Sequence, residues 1–315
     1  MIPFLIILAV LAVLILLTSY ICFRMAFYAS RKPENLVDEF DIPDDSIYGG
    51  FRDLLVQWMK AAKKLPQEDI SIRSFDGLEL WGTYFECALG APIEILFHGY
   101  RGHANREMSG AVRRCHSLGH SALIVDQRAC GRSEGNVITF GINERKDCLT
   151  WLELMQKRFG PDQKIILTGI SMGASTVMLA AGQKLPSNVI GILADCGYSS
   201  PKEIMLLAME PMGIPKTLGW PFVKLGAKLF GRFDPEADSP VEALKKAKVP
   251  VIFFHGEDDG LVPCYMSKLC YDACASRKHL VTIPGADHGL SYAVAPELYL
   301  KELGDFFGPE ASYTK

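Results

Sequence analysis

Gly169-Ile170-Ser171-Met172-Gly173 is the stretch on which the reading of this chain turns. Before it runs Lys164-Ile165-Ile166-Leu167-Thr168, a short β-rich segment of the kind that forms a buried parallel strand. After it, Ala174 to Lys184 is rich in Ala, Met and Leu and predicts a helix. A serine on a sharp strand-to-helix turn needs small neighbours, because a side chain at Gly169 or Gly173 would collide with the turn. Such a turn exposes Oγ, and the helix N-terminus behind it favours developing negative charge. The pentapeptide alone also fits an inert Gly-rich turn, so its partners must be sought elsewhere in the chain.

The partners follow in the order Ser, Asp, His. Val251-Ile252-Phe253-Phe254 predicts a strand, followed by His255-Gly256-Glu257-Asp258-Asp259-Gly260-Leu261-Val262-Pro263. Leu280-Val281-Thr282-Ile283 predicts another, followed by Pro284-Gly285-Ala286-Asp287-His288-Gly289. Each candidate thus sits just past the C-terminal end of a strand, where ligand sites form in open parallel sheets. His288 can take the Ser171 proton and later return it to a leaving group. Asp259 would hold the imidazole tautomer and stabilise the imidazolium.

On these residues the chain resembles the α/β-hydrolase superfamily, from about Asp69 to Phe307. Two further segments carry the resemblance. Phe97-His98-Gly99-Tyr100 follows the strand Ile93-Glu94-Ile95-Leu96 and looks like the family's oxyanion loop. Asp126-Gln127-Arg128-Ala129-Cys130-Gly131-Arg132-Ser133 resembles Asp-x-Arg-Gly-x-Gly-x-Ser, with Ala129 where Gly is commoner. The resemblance implies an α/β fold whose mostly parallel sheet carries helices on both faces, with a small helical cap. It implies Ser171, Asp259 and His288 as catalytic residues, and the backbone N–H groups of Tyr100 and Met172 as oxyanion donors. Two such donors matter because the tetrahedral intermediate places a full charge on one oxygen; losing one costs about 3 kcal/mol.

Competing readings attach to several residues. Asp258 rivals Asp259, and the two-residue gap after His255-Gly256 favours Asp259. His98 and His255 end strands before glycine and read as buried, hydrogen-bonded loop histidines. His116 and His120 have helical spacing, but Gly119 interrupts it and no nearby Cys or carboxylate completes a metal set. Cys270 and Cys274 read as small apolar side chains facing the sheet.

Ile2 to Phe23 carries no charge and is rich in Leu, Ile and Val. As a helix of 22 residues it would be about 33 Å long, against a hydrocarbon core of about 30 Å. A cleaved signal peptide is the rival reading. It would want a basic residue before the apolar run and small residues before the cut, and Tyr20-Ile21-Cys22-Phe23 offers none. Residues 1–23 are therefore expected to be a retained transmembrane anchor. Arg24, Arg31 and Lys32 follow it, which predicts a cytoplasmic domain. Nine cysteines, an odd number, suit a reducing compartment better than a disulfide framework. Residues 33–45 read as an acidic linker. Residues 48–64 predict an amphipathic helix, with Phe51, Leu54, Leu55, Trp58 and Met59 on one face. That face packs on the domain or lies on lipid.

The remaining boundaries follow from rhythm. Asp76-Gly77 predicts a hairpin at the start of the sheet. The domain organisation expected is linker and amphipathic helix 24–65, core 66–198, cap 199–240, and core again 241–315. Some forty residues without a strand make a structureless 199–240 improbable, and its Met- and Leu-rich clusters suggest an apolar wall over the Ser171 pocket. A net charge of −3, with no Lys/Arg cluster interleaved with aromatics, argues against nucleic-acid binding. The function expected is a serine hydrolase that cleaves a small apolar or acyl ester through an acyl-enzyme, with no metal or organic cofactor. Peptide or amide hydrolysis of prolyl-oligopeptidase-like type is the close alternative. A non-catalytic membrane-tethered binding module is the third. A chain beginning near Asp45 would keep every proposed site residue, and on that ground is expected to be soluble and active.

Overall fold

The computed structural model describes residues 2–30, 42 and 47–308. The linker read at 33–45 therefore lies, except for Ile42, outside the described residues, as do Arg31 and Lys32. The described chain opens with helices α1 (Ile2–Ala26) and α2 (Arg52–Ala62), then strands β1 (Glu68–Arg73), β2 (Glu79–Phe85) and β3 (Ile93–Phe97). Helices α3 (Ala104–Glu107) and α4 (Ser109–Ser117) lead to β4 (Ser121–Val125), and α5 (Glu144–Phe159) leads to β5 (Ile165–Ile170). Next come α6 (Met172–Ala181), β6 (Val189–Asp195), α7 (Pro201–Ala208), α8 (Lys216–Leu229) and α9 (Pro240–Leu244). The chain continues with β7 (Val251–Gly256), α10 (Tyr265–Ala273), β8 (Lys278–Ile283), α11 (Ser291–Val294) and α12 (Pro296–Phe307).

The eight strands form one sheet in the order β1-β2-β4-β3-β5-β6-β7-β8. Among them only β2 runs against the others, pairing antiparallel with both neighbours. Strands β3, β4 and β7 are buried at every position, which is why apolar residues dominate them. One face of the sheet packs on α5, α6, α9 and α10 through Trp151, Met155, Val177, Met178, Leu244 and Cys270. The other is covered by α4 and α12 through Val112, Cys115, Tyr299 and Leu303. Cys270 and Cys274 both face the core, as expected. All nine cysteines are free thiols. The hairpin also forms as read, with Gly77 at φ +89°.

Two elements add to the sequence reading: α1 departs from it, and α2 takes one of its two alternatives. Helix α1 runs on past the expected end, to Ala26, and its last turns are not a tether. Ser19 and Phe23 are buried against α8. A Cβ at Gly226 would overlap the carbonyl oxygen of Ser19, so glycine is what lets the two helices approach. Phe27 is fully buried, edge-on to Phe140 and Phe233 with ring centres 5.8 and 5.1 Å away. The chain then pairs with residues 136–138: Ile138 N–H donates to Phe27 O at 2.8 Å, and Ala29 N–H to Asn136 O at 3.0 Å. Much of the apolar surface of residues 199–240, including Trp220, Val223 and Ala227, is thus spent on the end of α1. The second element is α2, which packs on the domain. Trp58 lies over Gly110, where a Cβ would collide with its ring, and 5.4 Å from Tyr292.

Candidate active site

Ser171 sits between β5 and α6 at φ 56°, ψ −118°, a conformation an L-residue rarely adopts. The turn tolerates no bulk on either side. A Cβ at Gly169 would overlap the Gly173 carbonyl, and one at Gly173 would overlap the carbonyl of Phe97 on the neighbouring strand. The Ser171 N–H donates to Asp195 O at 2.8 Å, which ties the turn to the end of β6.

Three residues far apart in sequence meet here. Ser171 Oγ lies 2.9 Å from His288 Nε2, and His288 Nδ1 lies 2.7 Å from Asp259 Oδ2. An ionised carboxylate only accepts, so the imidazole proton is assigned to Nδ1, and Nε2 is left to accept from the serine hydroxyl. Both His288 and Asp259 are buried, while Asp258 next door is exposed. The loop after β8 is fixed by Asp287, whose carboxylate accepts from the N–H groups of Gly260 (3.0 Å) and His288 (2.7 Å).

The carboxylate of Asp259 is saturated with donors. Its Oδ1 accepts from Leu261 N–H (2.9 Å) and Val262 N–H (2.7 Å). Its Oδ2 lies 3.2 Å from His255 Nε2 as well as facing His288. Burial pushes this carboxyl up, but the hydrogen bonds from His255 and His288 outweigh it and hold the group well below the usual carboxylate range. His255 is fully buried, as the sequence suggested. Its Nε2–H also donates to Val262 O at 2.7 Å, leaving Nδ1 to accept from Ser267 at 2.6 Å. Its contact with Asp259 went unread, although the i, i+4 spacing of the pair was available. His98 is equally buried: Nδ1–H donates to Gly99 O at 2.7 Å and Nε2 accepts from Gln127 N–H at 3.0 Å. Cys196 also borders the site, its Sγ within 4.8 Å of ligand atoms of Asp259 and His288. Burial, reinforced by the charges of Asp195 and Asp259, raises its thiol well above the ordinary value.

The loop after β3 runs beside the serine. A Cβ at Gly99 would lie 3.4 Å from Ser171 Cβ. The Gly99 N–H is already taken by Glu107 Oε2 at 2.6 Å. Met172 opens α6, and its N–H has no helical acceptor. The loop reaches the end of α1 as well: Tyr100 OH donates to Ala26 O at 2.8 Å, and Arg101 Nη2 donates to Met25 O at 2.7 Å and Tyr28 O at 3.0 Å. Neither Glu107 nor Arg101 carries a sequence signal of this role, since each depends on a contact set by the tertiary fold.

Known proteins share this framework. The model of the family described as serine aminopeptidase S33 matches residues 92–236. The uncharacterized protein YqkD of Bacillus subtilis is 28% identical over 192 residues, a match that spans 60% of this chain and 62% of YqkD. Among solved structures, the Pyrococcus furiosus esterase Pf2001 superposes with a TM-score of 0.64 at 21% identity, covering 78% of this chain and 92% of the esterase. Est1E of Butyrivibrio proteoclasticus, solved with ferulic acid bound, gives 0.58 at 20% identity, covering 75% and 97%. At these identities the two structures are alike in fold.

Proposed function

We propose that this chain, a member of the α/β-hydrolase superfamily, is a membrane-anchored serine hydrolase that cleaves a carboxylic ester through an acyl-enzyme. The observation that carries the reading is the unbroken chain of hydrogen bonds from Ser171 Oγ through His288 to Asp259, 2.9 and 2.7 Å long, on a strained strand-to-helix turn. In the first half-reaction, His288 Nε2 takes the Ser171 proton as Oγ attacks the ester carbonyl. The oxyanion that forms is stabilised by the N–H groups of Tyr100 and Met172. Collapse expels the alcohol, which takes the proton back from His288 Nε2. In the second, water loses a proton to the same nitrogen as it attacks the acyl-enzyme; collapse releases the acid and Ser171 Oγ, which takes that proton back from His288 Nε2. Asp259 stays ionised throughout and holds the Nδ1–H tautomer.

The remaining assignments belong to the same reading. Residues 2–23 anchor the chain in a membrane, and α1 is long and apolar enough to cross one. The domain lies on the cytoplasmic side, on the strength of Arg24, Arg31 and Lys32 and the free thiols. Residues 199–240 form the cap between the two parts of the core.

A fluorophosphonate probe tests the class: it should label the full chain at Ser171 and leave Ser171→Ala untouched. Absence of labelling in folded protein would remove the enzyme and leave the tethered binding module. A peptidase or amidase is the second reading, favoured by the matching family's description as an aminopeptidase. Acyl esters and aminoacyl amides assayed side by side separate the two.

A further inference from the structure

We propose that Arg101 is a positioning residue for the oxyanion loop, and that the carbonyls at the end of α1 are what it holds on to. The proposal rests on the reading of Ser171, His288 and Asp259 given above. Arg101 adopts φ +56°, a left-handed conformation that a non-glycine residue keeps only when its surroundings enforce it. The surroundings are unusual. Its guanidinium spans Met25 O (2.7 Å) and Tyr28 O (3.0 Å), while Tyr100 OH holds Ala26 O between them at 2.8 Å. Carbonyls at a helix C-terminus have no acceptor role left inside the helix and carry partial negative charge, so they suit a cation. One nitrogen, Nη2, donates to both carbonyls, one N–H to each.

These bonds close a clamp on the loop. On one side, the Gly99 N–H is fixed by Glu107, and the backbone at residue 98 is fixed by Gln127 Nε2 at 2.6 Å to His98 O. On the other, Tyr100 and Arg101 are fixed by residues 25–28. The Tyr100 amide lies between the two fixed points, so its direction is set by both. In turn residues 25–28 are held in place by the seating of Ser19 and Phe23 on α8 and of Phe27 between Phe140 and Phe233. The end of the apolar helix therefore braces the loop after β3. Because an oxyanion donor acts in the transition state more than on the bound ester, loosening the clamp should lower kcat and leave KM nearly alone.

The experiment uses the full chain in detergent with a p-nitrophenyl ester and a fluorophosphonate. Arg101→Ala should lower kcat by about tenfold or more with KM within about twofold, and should slow labelling in proportion. Arg101→Lys should recover part of kcat. Gly226→Ala approaches the clamp from outside: it touches nothing in the loop, but its methyl displaces Ser19 and with it α1. It too should lower kcat at constant KM. Unfolding midpoints of all three keep folding defects apart. Folded Arg101→Ala or Gly226→Ala with wild-type kcat would overturn the clamp while the hydrolase reading stands, and so would a loss confined to KM. A wild-type chain inert to the fluorophosphonate would take down both.

Discussion

A carboxylate one position off would be useless to His288, and the two adjacent acids make that testable. Only Asp259 meets the imidazole, at 2.7 Å; Asp258 is turned to solvent. Asp259→Asn should lower kcat by about 10⁴-fold, because an amide in that place favours the wrong tautomer. Asp258→Asn should stay within about twofold, and equal losses would shift the acid assignment. Ser171→Ala and His288→Ala should each abolish turnover, with the double variant scarcely worse than either, since the members act as a unit. Steady-state kinetics that gave multiplicative losses would separate the two residues. The three residues of the proposed triad were legible in the sequence because each follows a recognisable strand with a short motif. The sequence did not carry His255, whose side chain looks like a core histidine until its 3.2 Å approach to Asp259 is measured.

Strand β3 shows how an element can carry a charge through the middle of a sheet. Glu94 is buried among apolar neighbours, yet it bonds Arg114 Nη2 at 2.6 Å, His120 Nδ1 at 2.8 Å and Thr168 Oγ1 at 2.8 Å. Burial pushes its carboxyl up, but Arg114 and His120 outweigh that and hold it far below the usual range. Glu94→Gln leaves Arg114 buried and unpaired, and should cost about 3–5 kcal/mol in chemical denaturation. The sign of the pH dependence follows from a depressed folded-state value. The stability Glu94 contributes is complete above its unfolded pKa near 4.5 and is lost as pH falls towards the folded value. A wild-type acid transition that Glu94→Gln left unaltered would contradict this. The turn after β5 is the other element with a sharp requirement. Gly173→Ala drives a methyl into the Phe97 carbonyl and should leave no folded, fluorophosphonate-reactive protein. His120 bonds Glu94, a role that the spacing of His116 and His120 does not reveal.

At the scale of the molecule, α1 changes what a soluble version of this protein would be. Cutting the chain near Asp45 spares Ser171, Asp259 and His288, and on that ground the shortened chain was expected to work. It also removes Phe23, Phe27 and Tyr28, strips apolar cover from Phe140, Trp220 and Phe233, and takes away the carbonyls that Arg101 holds. The shortened chain should aggregate or label with a fluorophosphonate at least tenfold more slowly than the full chain in detergent. A monodisperse product that labels at the full rate, by gel filtration and rate measurement, would return α1 to the status of a tether. Phe27→Ala in the full chain is the finer test: a fully buried aromatic truncated to methyl should cost about 3–5 kcal/mol.

Composition and spacing determined the sheet and its flanking helices, and pointed to the three ordered residues of the proposed site, because each is written in local periodicity or in a motif a few residues long. Apolar runs marked the strands, Gly169 and Gly173 marked the turn, and the uncharged stretch from Ile2 marked α1 as one continuous helix. What only the tertiary structure decided was that the last turns of α1, at Ser19 and Phe23, pack on the domain. The same apolar side chains, Phe23 and Phe27, satisfy either surrounding, and nothing in their spacing distinguishes lipid from Trp220, Phe233 and Phe140. Arg101 is undecided by sequence for a related reason. Its partners are backbone carbonyls more than seventy residues away, and carbonyls leave no trace in the identity of the residues that bear them.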